Sequence, residues 1–268
     1  MPLRTITQID SHNRNNNKLR FETAILARNS IFKGIYENRR CFVIGNGSSL
    51  TKQNLNLLKN EITFVMNAFW KHPIISKTWQ PTYYCFADPR TFDGSIYAKN
   101  FFSSLHKNIK ISIFFVPLFV KYVIRRQKLL PLDSTYYVMF EDSNDEIDRI
   151  DFTHAVLSVQ STSQLAIELA IYMGCNPIYL LGMDHDFLAH KGLIKHFYTG
   201  LTIENHPDAH DDISDVSYRS EIESCLRLWK KYELIKQYAI KNKINIYNAT
   251  YGGYLDVFPR INYRSIKV

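Results

Sequence analysis

Cysteine is scarce in this chain: there are four in 268 residues, none in a CxxC pair and none at metal-ligand spacing from a histidine. A disulfide scaffold, which needs a short chain dense in cysteine, is thereby excluded. Cys41 and Cys85 lie inside apolar runs and read as small core residues in a reducing compartment. Also missing is an apolar stretch of the roughly 20 residues that a spanning helix requires. The longest one, residues 109–124, reads IKISIFFVPLFVKYVI and is broken by two lysines and a proline. The opening MPLRTITQIDSHNRNNNKLR has no apolar segment of a secretory signal, so the expected location is the cytoplasm. No RNA- or DNA-recognition motif occurs, and a nucleic-acid partner is not expected.

What is present describes an ordinary folded chain. At 46% hydrophobic and 14% aromatic residues it is too apolar for disorder. A chain of this length buries roughly three quarters of its unfolded surface, enough for one catalytic-sized domain. From residue 40 onward, short β-rich runs at 41–45, 62–66, 82–87, 110–115, 135–140, 155–159, 177–182 and 244–248 alternate with helical periodicity at 51–59, 95–107, 117–128, 161–174 and 217–242. This alternation predicts an α/β fold, a Rossmann-like three-layer sandwich on a mostly parallel sheet. The clearest helix opens on Ser161 and Thr162 and closes at Gly174, ahead of Pro177. Residues 1–39 read as an Asn-rich lead with a helix around Leu19 to Tyr36, an N-terminal helical extension to a single domain over 40–268. Two segments break the pattern: the acidic run Glu141–Asp151 reads as a solvated loop, and the weakly periodic stretch 183–217 reads as a lid or binding loop.

Residues suited to chemistry collect where strands end. The first strand runs into Gly45-Asn46-Gly47-Ser48-Ser49-Leu50, a glycine turn whose free N–H groups would suit a phosphate. It lacks the Lys-Ser/Thr of a Walker A loop and the third glycine of the dinucleotide fingerprint. The second strand ends in Asn67, where a dehydrogenase would carry a ribose-binding carboxylate. Asp88 ends the third strand, either facing a ligand or capping the helix after it. Tyr179-Leu-Leu-Gly182-Met-Asp184-His185-Asp186 delivers two carboxylates one residue apart, able to hold Mg²⁺ against a diphosphate. With His185, the loop also carries His190, His196-Phe197-Tyr198, His206 and His210, a histidine density that suggests general acid or base work. Asn248, Thr250 and the glycine pair at 252–253 close the last strand, with Tyr251 and Tyr254 available to stack on a base or sugar.

Taken together, the glycine turn, the strand ending in Asn67, Pro81-Thr82-Tyr83-Tyr84 with Asp88, the stretch Leu165–Asp184, His196-Phe197-Tyr198 and Asn248-Ala249-Thr250 resemble the MptE-like family, formerly domain of unknown function 115, over roughly residues 40–260. Archaeal members of that family are 6-hydroxymethyl-7,8-dihydropterin diphosphokinases using ATP and Mg²⁺; bacterial members often serve surface-glycan or flagellin glycosylation. The framework is also similar to the bacterial sialyltransferases of glycosyltransferase family 42, which use CMP-sialic acid. That likeness carries nucleotide contacts onto Asn46 and Asn67 and shares Thr162, Ser163, Gly182 and Asp184; with the strand ends and loop read above, the expected nucleotide-binding residues are Gly45, Asn46, Gly47, Ser48, Asn67, Asp88, Thr162, Ser163, Gly182, Tyr198, Asn248 and Thr250. The family's catalytic histidine precedes the last long helix, where His210 or His206 is nearest, while His196 has the better local motif; the expected catalytic residues are His196, His210 and Asp184. This sequence departs from that family at Val159 or Gln160, where an arginine is expected, and near Asp186, where a tyrosine pair is expected.

The resulting expectation is a glycosyltransferase, sialyltransferase-like, that moves a nonulosonate from a CMP-linked donor to a glycan or lipid-linked acceptor without a required cofactor. The alternatives are an Mg²⁺-dependent diphosphokinase with Asp184 and Asp186 as metal ligands, and a non-catalytic nucleotide-binding factor of glycan assembly. The net charge of +8 is concentrated at the flanks, with eight Lys/Arg against three Asp/Glu in 1–40 and ten against four in 218–268. Such flanks, with the stretch from Phe114 to Arg126, suit peripheral contact with an anionic membrane face, although a solvated basic face with a buried strand and helix accounts for them somewhat better.

Overall fold

The computed structural model describes residues 20–142, 146–190, 196–198 and 217–267. Nine strands are present among them: β1 (Cys41–Ile44), β2 (Ile62–Met66), β3 (Tyr83–Cys85), β4 (Ile113–Pro117), β5 (Thr135–Val138), β6 (Phe140–Glu141), β7 (Val156–Leu157), β8 (Ile178–Leu181) and β9 (Ile246–Asn248). Seven form one sheet in the order β5-β4-β3-β2-β1-β8-β9, with every adjacent pair parallel. Parallel strands need crossovers, which put helices on both faces, and so the central strands are buried on both sides and read as unbroken apolar runs. Strand β1, CFVI, is buried at every position.

Period 2 divides the core in two. Cys41, Val43, Phe64 and Met66 face a layer formed by helices α4 (Thr162–Tyr172) and α5 (Tyr218–Lys241). Phe42, Ile44 and Val65 face the opposite layer, formed by α2 (Ile96–Asn108) and α3 (Lys121–Gln127). Helix α4 is buried at all eleven positions, which explains why its apolar residues, Leu165, Ala166, Ile167, Leu169, Ala170 and Ile171, go round the helix rather than along one stripe.

Some elements differ from the sequence pattern. The helical periodicity over 51–59 resolves into two short 3₁₀ turns, Ser48–Lys52 and Leu55–Leu58. The run at 155–159 does not join the main sheet: β7 pairs only with β6, in a separate two-stranded sheet. Strand β4 lies further along the chain than its apolar run suggests and ends at Pro117, which needs no ladder N–H there.

The leading segment is helical over 20–27 (α1) and then 3₁₀ over Arg28–Phe32. Its described part is tied into the core. Asn29 is fully buried and donates through Nδ2 to the carbonyls of Tyr137 (2.8 Å) and Phe152 (2.7 Å). Phe32 packs edge-on against Phe115 and Tyr136. No helix among the described residues is long and apolar enough to cross a membrane.

Candidate functional site

The chain leaves β1 toward β2 on one side of the sheet and returns to β8 on the other, so strand order reverses between β1 and β8. In open α/β sheets the crevice at such a point is where ligands bind. The two connections that emerge there are locked together. Gly45 N–H donates to Leu181 O (2.8 Å) and Gly47 N–H donates to Gly182 O (3.0 Å), extending the β1–β8 pairing past the strands. A Cβ on Gly45 would lie 2.5 Å from Gly182 O, and one on Gly47 would lie 2.3 Å from the Asp184 Cγ. Both glycines are therefore required by close approach.

The anion that the glycine turn attracts is supplied by the chain itself. Asp184, 7% exposed, accepts through Oδ2 from the Ser49 N–H (2.9 Å) and the Ser48 hydroxyl (3.4 Å), and through Oδ1 from the Ser49 hydroxyl. A carboxylate at the opening of the 3₁₀ turn fits the N-terminal dipole. Burial raises the Asp184 pKa above the ordinary carboxylate value, with Asp186 adding to the rise and Ser49 and Ser48 opposing it. Both oxygens of this expected Mg²⁺ ligand are thus engaged. Among the described residues, no three His, Cys, Asp or Glu side chains converge as a cation site.

Opposite this clasp stand the groups at the ends of β2 and β3 and the start of α4. Asn67 sits at φ +50, in the left-handed region that costs a non-glycine residue strain and collects at functional sites. Tyr84 holds it there by donating to Asn67 O (2.7 Å) while accepting from Trp70 N–H (3.0 Å). The Thr162 hydroxyl donates to Asn67 Oδ1 (3.3 Å) and accepts from Ala87 N–H (3.3 Å). Asn46, 8% exposed, donates to Met66 O (3.1 Å), and its Oδ1 has no hydrogen-bond partner among the described residues. Ser161 takes the N-cap position of α4, but its hydroxyl pairs with Ser163 Oγ (2.7 Å) rather than capping the helix.

From Ser163 a hydrogen-bonded row continues to Tyr232 Oη (2.6 Å) and on to His185 Nε2 (2.8 Å). His185 is also left-handed, at φ +46. Burial lowers its pKa to about 4 and raises that of Tyr232 to about 12. From sequence, His185 is only one of several loop histidines and Tyr232 does not stand out. A tyrosine within a long helix reads as core, and a left-handed backbone leaves no pattern in a single sequence.

The segment 196–198 crosses the glycine turn. His196 forms an antiparallel bridge with Gly47, and Phe197 N–H donates to Asn46 O (3.1 Å). Phe197 packs edge-on against His72 and Phe69, and the Lys71 ammonium lies 4.8 Å from the Tyr198 ring centre. His206, His210 and most of the 183–217 stretch fall outside the described residues. Of the remaining expected contacts, Asp88 caps the turn Pro89–Phe92 by accepting from Arg90 N–H (2.9 Å) and pairs with the Arg90 guanidinium (2.7 Å). Asn248 is fully buried; it donates to Leu255 O (2.7 Å) and accepts from Thr250 N–H (3.0 Å), shaping the turn after β9. The Thr250 hydroxyl accepts from Met183 N–H (3.1 Å), joining that turn to the crevice.

Solved structures share this fold. The MAf glycosyltransferase from Magnetospirillum magneticum AMB-1 superposes over 92% of this chain and 39% of its own, with TM-score 0.53 and 10% identity. This chain thus spans about two fifths of that protein. The sialyltransferase CstII from Campylobacter jejuni, solved with the substrate analogue CMP-3FNeuAc, superposes over 82% of this chain and 86% of its own, with TM-score 0.50 and 14% identity. The fold is therefore one that glycosyltransferases use. No curated protein matches the sequence. The family model described as 6-hydroxymethylpterin diphosphokinase MptE-like matches residues 12–190, about two thirds of the chain. The chain belongs to the MptE-like family.

Proposed function

We propose that this protein is a glycosyltransferase that moves a sugar, a nonulosonate or similar acid, from a CMP-linked donor to a glycan precursor. The observation that carries this reading is the crevice at the strand ends by β1, where Asn46 after β1 donates to Met66 O, next to Asn67 after β2, and Asn67 accepts from Thr162 at the start of α4. With Asp184 already occupying the glycine turn, the donor phosphate falls to the Ser161, Thr162 and Ser163 end of α4, where hydroxyls and helix N–H groups concentrate. Asn46 and Asn67 orient ribose and base. In the transfer, the bond from the anomeric carbon to the phosphate oxygen breaks and a bond to the acceptor hydroxyl oxygen forms. The acceptor proton passes to the imidazole of a loop histidine, His196 or His210, and CMP leaves as the phosphate. Tyr198 and the N–H dipoles stabilise the charge developing on the leaving group. The segment crossing the turn excludes water, which would otherwise hydrolyse the donor.

The family model's description favours a second reading, an Mg²⁺-dependent diphosphokinase. In it Asp184 and Asp186 would hold the metal, which would polarise the transferred phosphate, and the Asp184 carboxylate would have to release Ser49. Turnover of a CMP-linked sugar in the presence of EDTA supports the transferase. ATP-dependent diphosphate transfer abolished by EDTA supports the kinase. Nucleotide binding with neither turnover supports a non-catalytic assembly factor.

A further inference from the structure

Beside the crevice, on the α2/α3 face of the sheet, a cavity of about 580 Å³ opens between the 3₁₀ turns after β1, the turn after β9 and the C-terminal segment. Its volume is that of a small-molecule site. Its lining is unusual in chemistry. Lys52 and Arg264 contribute two cations, the lining holds no carboxylate, and neither cation has a carboxylate partner among the described residues. Asn54 and Asn262 add two amides whose Oδ1 atoms accept from Asn56 N–H (3.1 Å) and Arg264 N–H (2.9 Å) and whose NH₂ groups are further donors. The Lys52 ammonium lies 4.7 Å from the ring centre of Tyr251, which is 59% exposed. Hydrogen-bond donors, positive charge and one aromatic face therefore meet in a single concavity.

That inventory selects a ligand rich in acceptors, negatively charged and bearing an apolar ring face. We infer that this cavity binds an anionic saccharide through a carboxylate or phosphate held by Lys52 and Arg264. Position assigns its part in the reaction. Gln53 donates through Nε2 to Ala249 O (2.9 Å) and fixes the cavity against the turn after β9. The other side of that turn is bound to the crevice, where Thr250 accepts from Met183 N–H (3.1 Å) and Tyr254 N–H donates to Asp184 O (2.7 Å). A transferase needs two ligands at one sheet edge, and with the nucleotide in the crevice, the cavity next to it takes the acidic acceptor. This acceptor role rests on the transferase reading; the binding itself does not.

The test is calorimetric titration of the full chain with glucuronic acid, glucose 1-phosphate and uncharged methyl glucoside, and separately with CMP. It is repeated for Lys52→Gln and Arg264→Gln, both exposed positions outside the core. One or both charged sugars bind, methyl glucoside binds more weakly, each variant loses affinity by about tenfold or more, and CMP affinity is unchanged. Binding of one charged sugar alone identifies the carboxylate or the phosphate as the recognised group. The inference is overturned if neither charged sugar binds, if the uncharged sugar binds equally well, if the variants leave the sugars unaffected, or if they weaken CMP instead. Sugar binding without CMP binding would keep this site and remove the transferase reading; CMP binding without sugar binding would do the reverse.

Discussion

Gly47 shows how much a single backbone position decides. Its φ of −59 is open to any residue, so the requirement for glycine comes from the Asp184 carboxyl group 2.3 Å from where a Cβ would stand. Gly47→Ala is expected to break the Asp184–Ser49 clasp and to cost about 1–3 kcal/mol, the usual range for a forced contact in a packed site. Urea denaturation measures that cost, and an unchanged midpoint would mean that the two turns are not locked. His72 carries a pH effect. Burial lowers its pKa to about 4, and its Nδ1 accepts from Ile74 N–H (3.1 Å), which requires the unprotonated ring nitrogen. Because the folded pKa lies below the unfolded value of about 6.5, the unfolded chain takes up the proton first. The contribution is complete above about pH 6.5 and is lost as pH falls toward about 4. His72→Asn keeps an acceptor for Ile74 and removes the titration, so denaturation midpoints measured across that window should change less with pH in the variant than in the parent. The sequence showed the glycines and Asp184 as separate candidates. Their mutual clasp was not legible, because it depends on β1 and β8 being neighbours although 133 residues separate Ile44 from Ile178 in the chain, as the numbering shows.

Helix α4 was the most legible element, because a Ser-Thr opening, a closing Gly174 and a dense apolar run between them mark it plainly. The 51–59 stretch was misread for the opposite reason: its leucines fit helical spacing, but Asn54 breaks the run by accepting from Asn56 N–H and starting a new turn. The seam between α4 and α5 holds a charge pair that no periodicity reveals. Lys231 Nζ lies 2.7 Å from Glu168 Oε1, with the side chains 4% and 1% exposed, and it also donates to Leu157 O (3.1 Å). Burial raises the Glu168 pKa even beside this lysine. Removing one partner from such a pair leaves an uncompensated buried charge, so Lys231→Met should cost about 3–5 kcal/mol, while the double variant Lys231→Met/Glu168→Leu should recover most of that loss. Equal destabilisation of the single and double variants in denaturant titrations would show that the ion pair is not the source of the cost. A weakened seam also loosens Tyr232, the neighbour of Lys231 and the link between Ser163 and His185.

At the scale of the molecule, the parallel sheet and its strand order place Asn46, Asn67, Asp88, Asp184 and Asn248 at or just beyond the carboxyl ends of its strands. The alternation of β-rich and helical segments made the fold class legible. The position of the crevice was not, because it depends on which strand returns beside β1. The central claim is that this crevice binds CMP. Thermal unfolding with CMP, UDP, GDP and ATP, each with and without Mg²⁺, tests it most directly, since a ligand at about 100 times its Kd stabilises the fold by about 2.7 kcal/mol and raises the Tm by roughly 5 °C for a chain of this size. The account predicts that CMP gives the largest shift, that the shift needs no Mg²⁺, and that Asn67→Ala abolishes it. A shift given only by ATP with Mg²⁺, or by no nucleotide at all, would contradict it.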